Sequence, residues 1–280
     1  MLAIALGLTA SLSWGCADFL SGLKSRTLPL LTVMLLSQLT GLILIAVIVA
    51  ARGRGAPGGD FAVWAALSAV AGLAGLAAFY RGLSVGAMAV VAPVSGLAAG
   101  VPVVFGLVTG ERPGVAQGAG IALALAGVAL AARERAADED GAPRVASGVG
   151  LALIAALGFG TFFVLMDQAG DPDPLWAILA NRVAGVTLLV AGVAAARPQL
   201  ATSAADGRQL VAAGLLDMAA NTLYVLATRE GLVSIVAVLA SLYPVVVIAL
   251  AHMVLGERLR ASQAAGVALA LGGVVLISAG

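Results

Sequence analysis

Gly110-Glu111-Arg112 and Gly256-Glu257-Arg258 are two copies of one tripeptide, 146 residues apart in a chain of 280. Each closes a long apolar run. The first run carries Pro93 and Pro102, the second Pro244. After each tripeptide comes a small-residue stretch, Gly118-Ala119-Gly120-Ile121-Ala122-Leu123-Ala124-Leu125 in one case and Ala265-Gly266-Val267-Ala268-Leu269-Ala270-Leu271-Gly272 in the other. An offset of about half the chain means an internal duplication.

Composition decides the medium. Hydrophobic residues make up 61% of the chain and charged residues 10%, with a mean hydropathy of +1.09. Soluble domains carry roughly 25% charge, so this chain reads as an integral membrane protein. A net charge of +1 with scattered basic residues gives no reason to expect nucleic acid. The single cysteine, Cys16, excludes an internal disulfide and a CxxC metal knuckle, and one histidine, His252, makes a His-rich metal site unexpected. No HExxH, phosphate-binding glycine loop or Ser/His/Asp set is present, so neither an enzyme, a cofactor nor ATP drive is expected. The apolar N-terminus lacks a basic leader and an A-x-A site, and is interrupted by Ser11, Ser13 and Asp18. It reads as the first membrane helix.

A membrane helix needs roughly 20 mostly apolar residues. Counting such runs between loop signals predicts ten spans, near 2–22, 29–51, 61–81, 86–108, 114–132, 147–168, 174–196, 208–229, 232–255 and 261–279. The runs are continuous and far longer than a membrane strand of about 9–11 residues. The most polar stretch, Arg133 to Arg144 with Asp138-Glu139-Asp140, divides them. The expected organisation is a first five-helix repeat over 1–132, a polar linker over 133–146 and a second five-helix repeat over 147–280. An odd number of spans makes the second half enter from the opposite side. The predicted fold is therefore all-α, with ten transmembrane helices as two inverted repeats. Such architectures place a substrate site near the midplane between the halves and suit alternating access.

Several motifs carry a resemblance: Leu12-Ser13-Trp14-Gly15 in span one, Val90-Val91-Ala92-Pro93, both Gly-Glu-Arg corners, Ala155-Ala156-Leu157-Gly158-Phe159-Gly160 and Ser241-Leu242-Tyr243-Pro244-Val245-Val246. With these the halves resemble two EamA repeats, and the whole chain resembles the drug/metabolite transporter superfamily. The resemblance implies a multi-pass plasma-membrane transporter, often an exporter of amino acids or other small polar compounds. A lipophilic-cation exporter and a non-transporting membrane scaffold are the alternatives. The expected partners are a small-molecule substrate and the lipid bilayer, with protons as a candidate coupling ion.

An ionisable side chain inside hydrocarbon costs at least about 2.5–3.5 kcal/mol at a helix centre, so those present should face a cavity or a partner. Arg182 lies about 12 Å into span seven by the helical rise, beside Asn181. It suits a substrate carboxylate or phosphate, or else a structural ion pair with an aspartate. Ser37 or Gln38 takes its place in the first half. Asp217, Asn221 and Tyr224 share one face of span eight, and Asp217 is either a substrate or proton partner or the mate of Arg182. Span one aligns Ser11, Trp14 and Asp18 on one face. The candidate substrate-binding set is Trp14, Asp18, Gln38, Asn181, Arg182, Asp217, Asn221 and Tyr224. Pro102 and Pro244 each remove a helical hydrogen bond and predict bends that suit hinges. Gly114 and Gly118 predict close helix packing. The Gly-Glu-Arg corners read as caps of the tight connections to spans five and ten.

The orientation signals conflict. Ten Lys and Arg residues, Lys24 and Arg208 among them, fall in odd-numbered loops, and four, Arg52, Arg54, Arg112 and Arg229, in even-numbered ones. The positive-inside rule puts both termini outside. The family resemblance puts both inside.

Overall fold

A computed structural model of the chain describes residues 1–86, 88–131, 148–198, 200, 202–256 and 261–279. The linker expected at 133–146, and Glu257 and Arg258 of the second corner, lie outside the described residues. Among the described residues the α-helices follow one another as α1 (Leu2–Lys24), α2 (Leu30–Arg52), α3 (Phe61–Val85), α4 (Met88–Ser95), α5 (Gly100–Val108), α6 (Val115–Ala131), α7 (Val149–Gly170), α8 (Pro174–Ala196), α9 (Ala204–Thr228), α10 (Val233–Ala240), α11 (Tyr243–Leu255) and α12 (Ala261–Ala279). Among the described residues there is no strand. Hydrocarbon dictates this, because a backbone without water must satisfy its hydrogen bonds within the segment.

Among the described residues seven helical segments are long and apolar enough to cross a membrane: α1, α2, α3, α7, α8, α9 and Val233–Leu255. The protein is multi-pass. Two shorter apolar helices cover Gly96–Val108 and Val115–Gly127. Bulky side chains such as Ile43, Val47, Val63, Leu67, Val104, Leu157 and Val190 stand outward at 48–65% exposure or thereabouts. Small and polar residues, Ser37, Ser68, Asn181 and Arg182 among them, are buried within. That inverted distribution belongs to a bundle whose solvent is lipid tails.

Local chemistry sets the helix boundaries. The Asp173 carboxylate caps α8, accepting from the Leu175 N–H at 3.0 Å and the Trp176 N–H at 3.3 Å, and Pro174 fills the first turn where no N–H is needed. Ser203 caps α9, its Oγ accepting from the Asp206 N–H at 3.1 Å. For this reason α9 begins at Ala204, four residues before the expected span. The α2 and α11 helices end on Gly53 and Gly256, both left-handed at φ 62 and 68.

The expected spans 86–108 and 232–255 are both interrupted. A 3₁₀ turn, Gly96–Ala99, separates α4 from α5, and Ser241-Leu242 separates α10 from α11. Pro102 and Pro244 lie in the first turn of the helix that follows each break. The two breaks fall at equivalent places in the two halves and touch: the Ser95 and Tyr243 hydroxyls are 2.6 Å apart.

Helix packing obeys a two-fold exchange of the halves. The α1–α9 contact has its image in α3–α7, and α2–α9 has its image in α3–α8. Equivalent helices run in opposite directions. Arg52 at the end of α2 pairs with Asp173 at the start of α8 at 3.0 Å, and a side chain at Gly192, late in α8, would touch Leu31, early in α2. In the same way Gly120 of α6 packs on Ile277 and Gly273 of α12, and Gly273 on Ala124. A Cβ on Gly120 would lie 2.6 Å from the Gly273 carbonyl oxygen. This backbone contact, not Gly114 and Gly118, carries the α6–α12 packing. Gly114 precedes the helix, and Gly118 faces open space.

The first Gly-Glu-Arg corner caps its own helix, the Glu111 N–H donating to the Gly106 carbonyl at 2.8 Å and the Gly110 N–H to the Leu107 carbonyl at 3.4 Å, and it also reaches the other half. Gly110, at φ 99, turns the chain so that Glu111 lies over the start of α10 in the opposite half. Its Oε1 accepts from the Val233 N–H at 2.8 Å and its Oε2 from the Ser234 N–H at 3.2 Å. A carboxylate at a helix N-terminus satisfies orphan donors and complements the helix dipole. The corner is a link between halves.

Candidate functional site

Three helices, α1, α8 and α9, bring charge to one place. Arg182, the ninth residue of α8, is 4% exposed, and its Nη2 donates to Asp217 Oδ2 of α9 at 2.6 Å. From α1, Trp14 Nε1 donates to Asp217 Oδ1 at 3.1 Å. One turn along α9, Asn221 Nδ2 donates to Asp217 Oδ1 at 3.1 Å and to the Asp217 carbonyl at 2.7 Å. The carboxylate thus holds three side-chain donors from three helices, which offsets its transfer out of water. The Arg182 Nε is buried without an acceptor, so the guanidinium keeps a donor to spare.

Around this pair opens a cavity lined by Trp14, Asp18, Gln38, Gly72, Leu73, Leu76, Phe159, Phe162, Phe163, Asn181, Arg182, Asp217, Asn221 and Tyr243 among others. Its floor is charged and its walls are aromatic. The Phe163 and Trp14 ring centroids are 5.6 Å apart, and Phe79 stands edge-on to Phe159 and Tyr243 at 5.7 and 5.9 Å.

Seven of the eight residues singled out in the sequence line this one cavity: Trp14, Asp18, Gln38, Asn181, Arg182, Asp217 and Asn221. Asn181 turns towards the first half, donating to Ser68 Oγ at 2.7 Å. Asp18 is 7% exposed and accepts from the Tyr80 hydroxyl at 3.4 Å. Tyr224 is placed differently. It is fully buried behind the cavity wall, its hydroxyl donating to the Phe163 carbonyl at 3.0 Å and its ring stacked on Phe163 at 4.8 Å. Its spacing from Asp217 gives the right helix and face, but seven residues of rise, about 10 Å, set it further along α9, where it packs on α7. The sequence reading passed over Phe159, Phe162, Phe163 and Tyr80. The only signal of the three phenylalanines is their run at spacings of three and four in α7, which in an apolar span also describes a lipid-facing stripe. His252 is exposed near the end of α11, away from the cavity lining.

A helical membrane bundle with two-fold exchange symmetry, broken helices at equivalent places and a charged cavity where the halves meet defines a transporter-type membrane protein. The chain belongs to the EamA-like transporter family, whose pattern it matches twice, over residues 1–133 and 146–279. A solved crystal structure shares the fold, with a TM-score of 0.75 and 22% identity over 98% of this chain and 95% of the other. No curated protein matches the sequence.

Proposed function

We propose that this protein is a secondary transporter of small zwitterionic metabolites, amino acids or related compounds. It exports them across the plasma membrane by alternating access of two inverted five-span halves. The observation that carries the reading is the Arg182–Asp217 ion pair on the cavity floor. A zwitterion brings both charges needed to divide that pair. Its carboxylate takes the guanidinium, which already has Nε to spare, and its ammonium takes Asp217. The exchange replaces one ion pair by two, so the desolvation of the substrate is offset inside the site. Trp14 and Asn221 keep Asp217 oriented throughout, and the aromatic wall accepts the side chain. In this reading α4–α5 and α10–α11 each act as one interrupted span, and α6 and α12 are the fifth span of each half. The breaks at Gly96–Ala99 and Ser241-Leu242 are the hinges, with Pro102 and Pro244 fixing the helix that swings.

The test is counterflow of radiolabelled L-amino acids in proteoliposomes, with Asp217→Asn and Arg182→Ala beside the wild type. Both variants are expected to fold and to lose transport. Full counterflow by both sinks the site. Asp18 and Asp217 against an aromatic wall also suit a lipophilic cation. Displacement of the amino acid by tetraphenylphosphonium, with Arg182→Ala still active, would favour that second reading.

A further inference from the structure

Side-chain amides from Gln38, Asn181 and Asn221 line the cavity. Two of these are committed to the protein. Asn221 Nδ2 donates to the carboxylate and the carbonyl of Asp217. Asn181 Nδ2 donates to Ser68 Oγ at 2.7 Å and to the Ala65 carbonyl at 3.4 Å. Gln38 is as deeply buried, at 7% exposure, yet among the described residues nothing bonds its amide. Neither amide atom is sealed inside the packing, so the group stands open to the cavity that the residue lines. Its neighbour Ser37 is satisfied within α2, its Oγ donating to the Val33 and Met34 carbonyls at 3.0 and 3.1 Å.

The exchange of halves gives Gln38 a particular address. The equivalent helices α2 and α8 are both 23 residues long, and Gln38 is the ninth residue of α2 as Arg182 is of α8. The register holds on either side, Ser37 matching Asn181 and Gly41 matching Gly185, and all six are buried. Gln38 is thus the counterpart of the cavity's guanidinium. The two are also near each other. A Cβ on Gly41 would lie 3.5 Å from Arg182 Nε, and Gln38 shares that face of α2, three residues or about 4.5 Å away by the helical rise. The side chain of an amino acid whose carboxylate rests on Arg182 spans such a distance.

We propose that Gln38 is a specificity residue, whose amide hydrogen-bonds an uncharged hydroxyl or carboxamide of the substrate side chain and so narrows the substrates to amino acids with a polar, uncharged side chain. This rests on the zwitterion reading given above. Arg182 and Asp217 hold the charged groups, and Gln38 reads the far end. A carboxamide carries an acceptor in Oε1 and two donors on Nε2, so it serves a hydroxyl in either sense and another amide through two bonds. The neighbouring wall of Leu73, Leu76 and Phe162 packs the carbon part of the side chain and has no polar atom to compete. An apolar side chain leaves the Gln38 amide cut off and unpaired once the cavity closes, and is rejected for that cost. A cationic side chain has its own partner on the lining, Asp18, and supplies the contrast.

The test is competition by unlabelled amino acids against counterflow of a radiolabelled mixture of the natural L-amino acids in proteoliposomes. Two pairs of side chains of nearly equal shape isolate the hydrogen bond: threonine against valine, and glutamine against methionine. In the wild type, the polar member of at least one pair is expected to compete at a concentration about tenfold lower than its apolar partner, and L-lysine no better than the apolar members. In Gln38→Met, an apolar replacement of similar length, that ratio should fall to about one, because only the polar competitor loses a bond. A structural role for Gln38 would weaken every competitor alike and leave the ratio as it was, which overturns the inference. Equal competition within both pairs in the wild type, or strongest competition by L-lysine, also overturns it and leaves the zwitterion reading standing. If Gln38→Met does not fold, the wild-type ratios decide alone. Absence of counterflow for the whole mixture sinks the zwitterion reading, and this inference with it.

Discussion

Removing Arg182 would leave Asp217 half-buried and short of its cation, with Trp14 and Asn221 as its remaining donors. Breaking a buried pair from one side costs about 3–5 kcal/mol, whereas replacing both members by neutral groups of similar shape is often close to neutral. Arg182→Gln is therefore expected to lower the thermal midpoint clearly, and Arg182→Gln with Asp217→Asn to recover most of it. Counterflow should stay absent in the double variant, since neither charge is left to receive a zwitterion. Equal midpoints for the single and double variants would show that the two side chains are not energetically coupled. Outside the spans, Asp173 offers a pH test. Burial pushes its carboxyl up, but the two Arg52 bonds and the N–H groups of Trp176 and Leu175 outweigh this and hold it below the ordinary carboxylate value. A lowered folded-state value means that its contribution is complete above the ordinary carboxylate range and is lost as pH falls through the lowered value. Unfolding midpoints of wild type and Asp173→Asn should thus converge on acidification and separate towards neutral pH. Charge in an apolar run is what made this residue scale readable: Arg182, Asp217 and Asp18 stand out in the bare sequence because hydrocarbon penalises them. The aromatic wall did not stand out, because Phe159 or Phe162 facing a cavity has the same local pattern as one facing lipid.

At the scale of the helix, the continuous apolar runs gave α1, α2, α3, α7 and α8 to within a few residues, since length and hydropathy are what a bilayer selects. The breaks inside 86–108 and 232–255 were invisible for the same reason: both half-helices and the turn between them are apolar. The start of α9 was missed because its first turn, Ala204-Ala205-Asp206-Gly207, is polar and is held by a cap instead of by lipid. Ser203→Ala is expected to cost about 1 kcal/mol, read as a lower unfolding midpoint with no change in substrate affinity. Glu111 is the sharper case, because it caps a helix of the opposite half. Glu111→Ala should cost a similar amount, about 1 kcal/mol, and should also change the exchange rate, since the bond it removes ties α10 to the end of α5. Glu111→Gln keeps an acceptor for one N–H and should fall between. A counterflow rate in Glu111→Ala equal to that of Ser203→Ala, at equal loss of stability, would show the corner to be a cap and nothing more. Close packing gives a further contrast. A Cβ at Gly158 would lie 2.7 Å from the Gly75 Cα, in a contact where neither backbone has a side chain to move aside. Gly158→Leu should fail to yield folded protein, whereas Gly118→Leu, which meets nothing within 4 Å, should behave as wild type.

For the whole molecule the open quantity is how many of the helices cross. Seven segments suffice by length, and the ten-span reading requires α4–α5, α6 and α12 to cross as well. The structure groups the helix ends in a way that separates these counts. Arg52 meets Asp173, Arg229 meets Asp167 and Asp171, and Glu111 meets the start of α10, so the loops before α3, before α6 and before α8 share one end of the bundle. Lys24 meets Asp206 at the other end, at 2.6 Å. In a background with Cys16→Ser, single cysteines at Gly58, Gly114 and Pro172 should therefore react alike with a membrane-impermeant maleimide, and one at Ala205 should show the opposite sidedness. Two crossings, α3 and the broken α4–α5, separate Gly58 from Gly114; two more, α6 and α7, separate Gly114 from Pro172. If α4–α5 did not cross, Gly58 and Gly114 would label from opposite sides, and if α6 did not, Gly114 and Pro172 would. The same four cysteines decide between the two orientation signals. Labelling of Ala205→Cys only after permeabilisation puts the Lys24 and Arg208 face inside, as the count of basic residues requires. Labelling of it in intact cells puts both termini inside, and the positive-inside rule then yields in this chain to the ion pairs that neutralise Lys24.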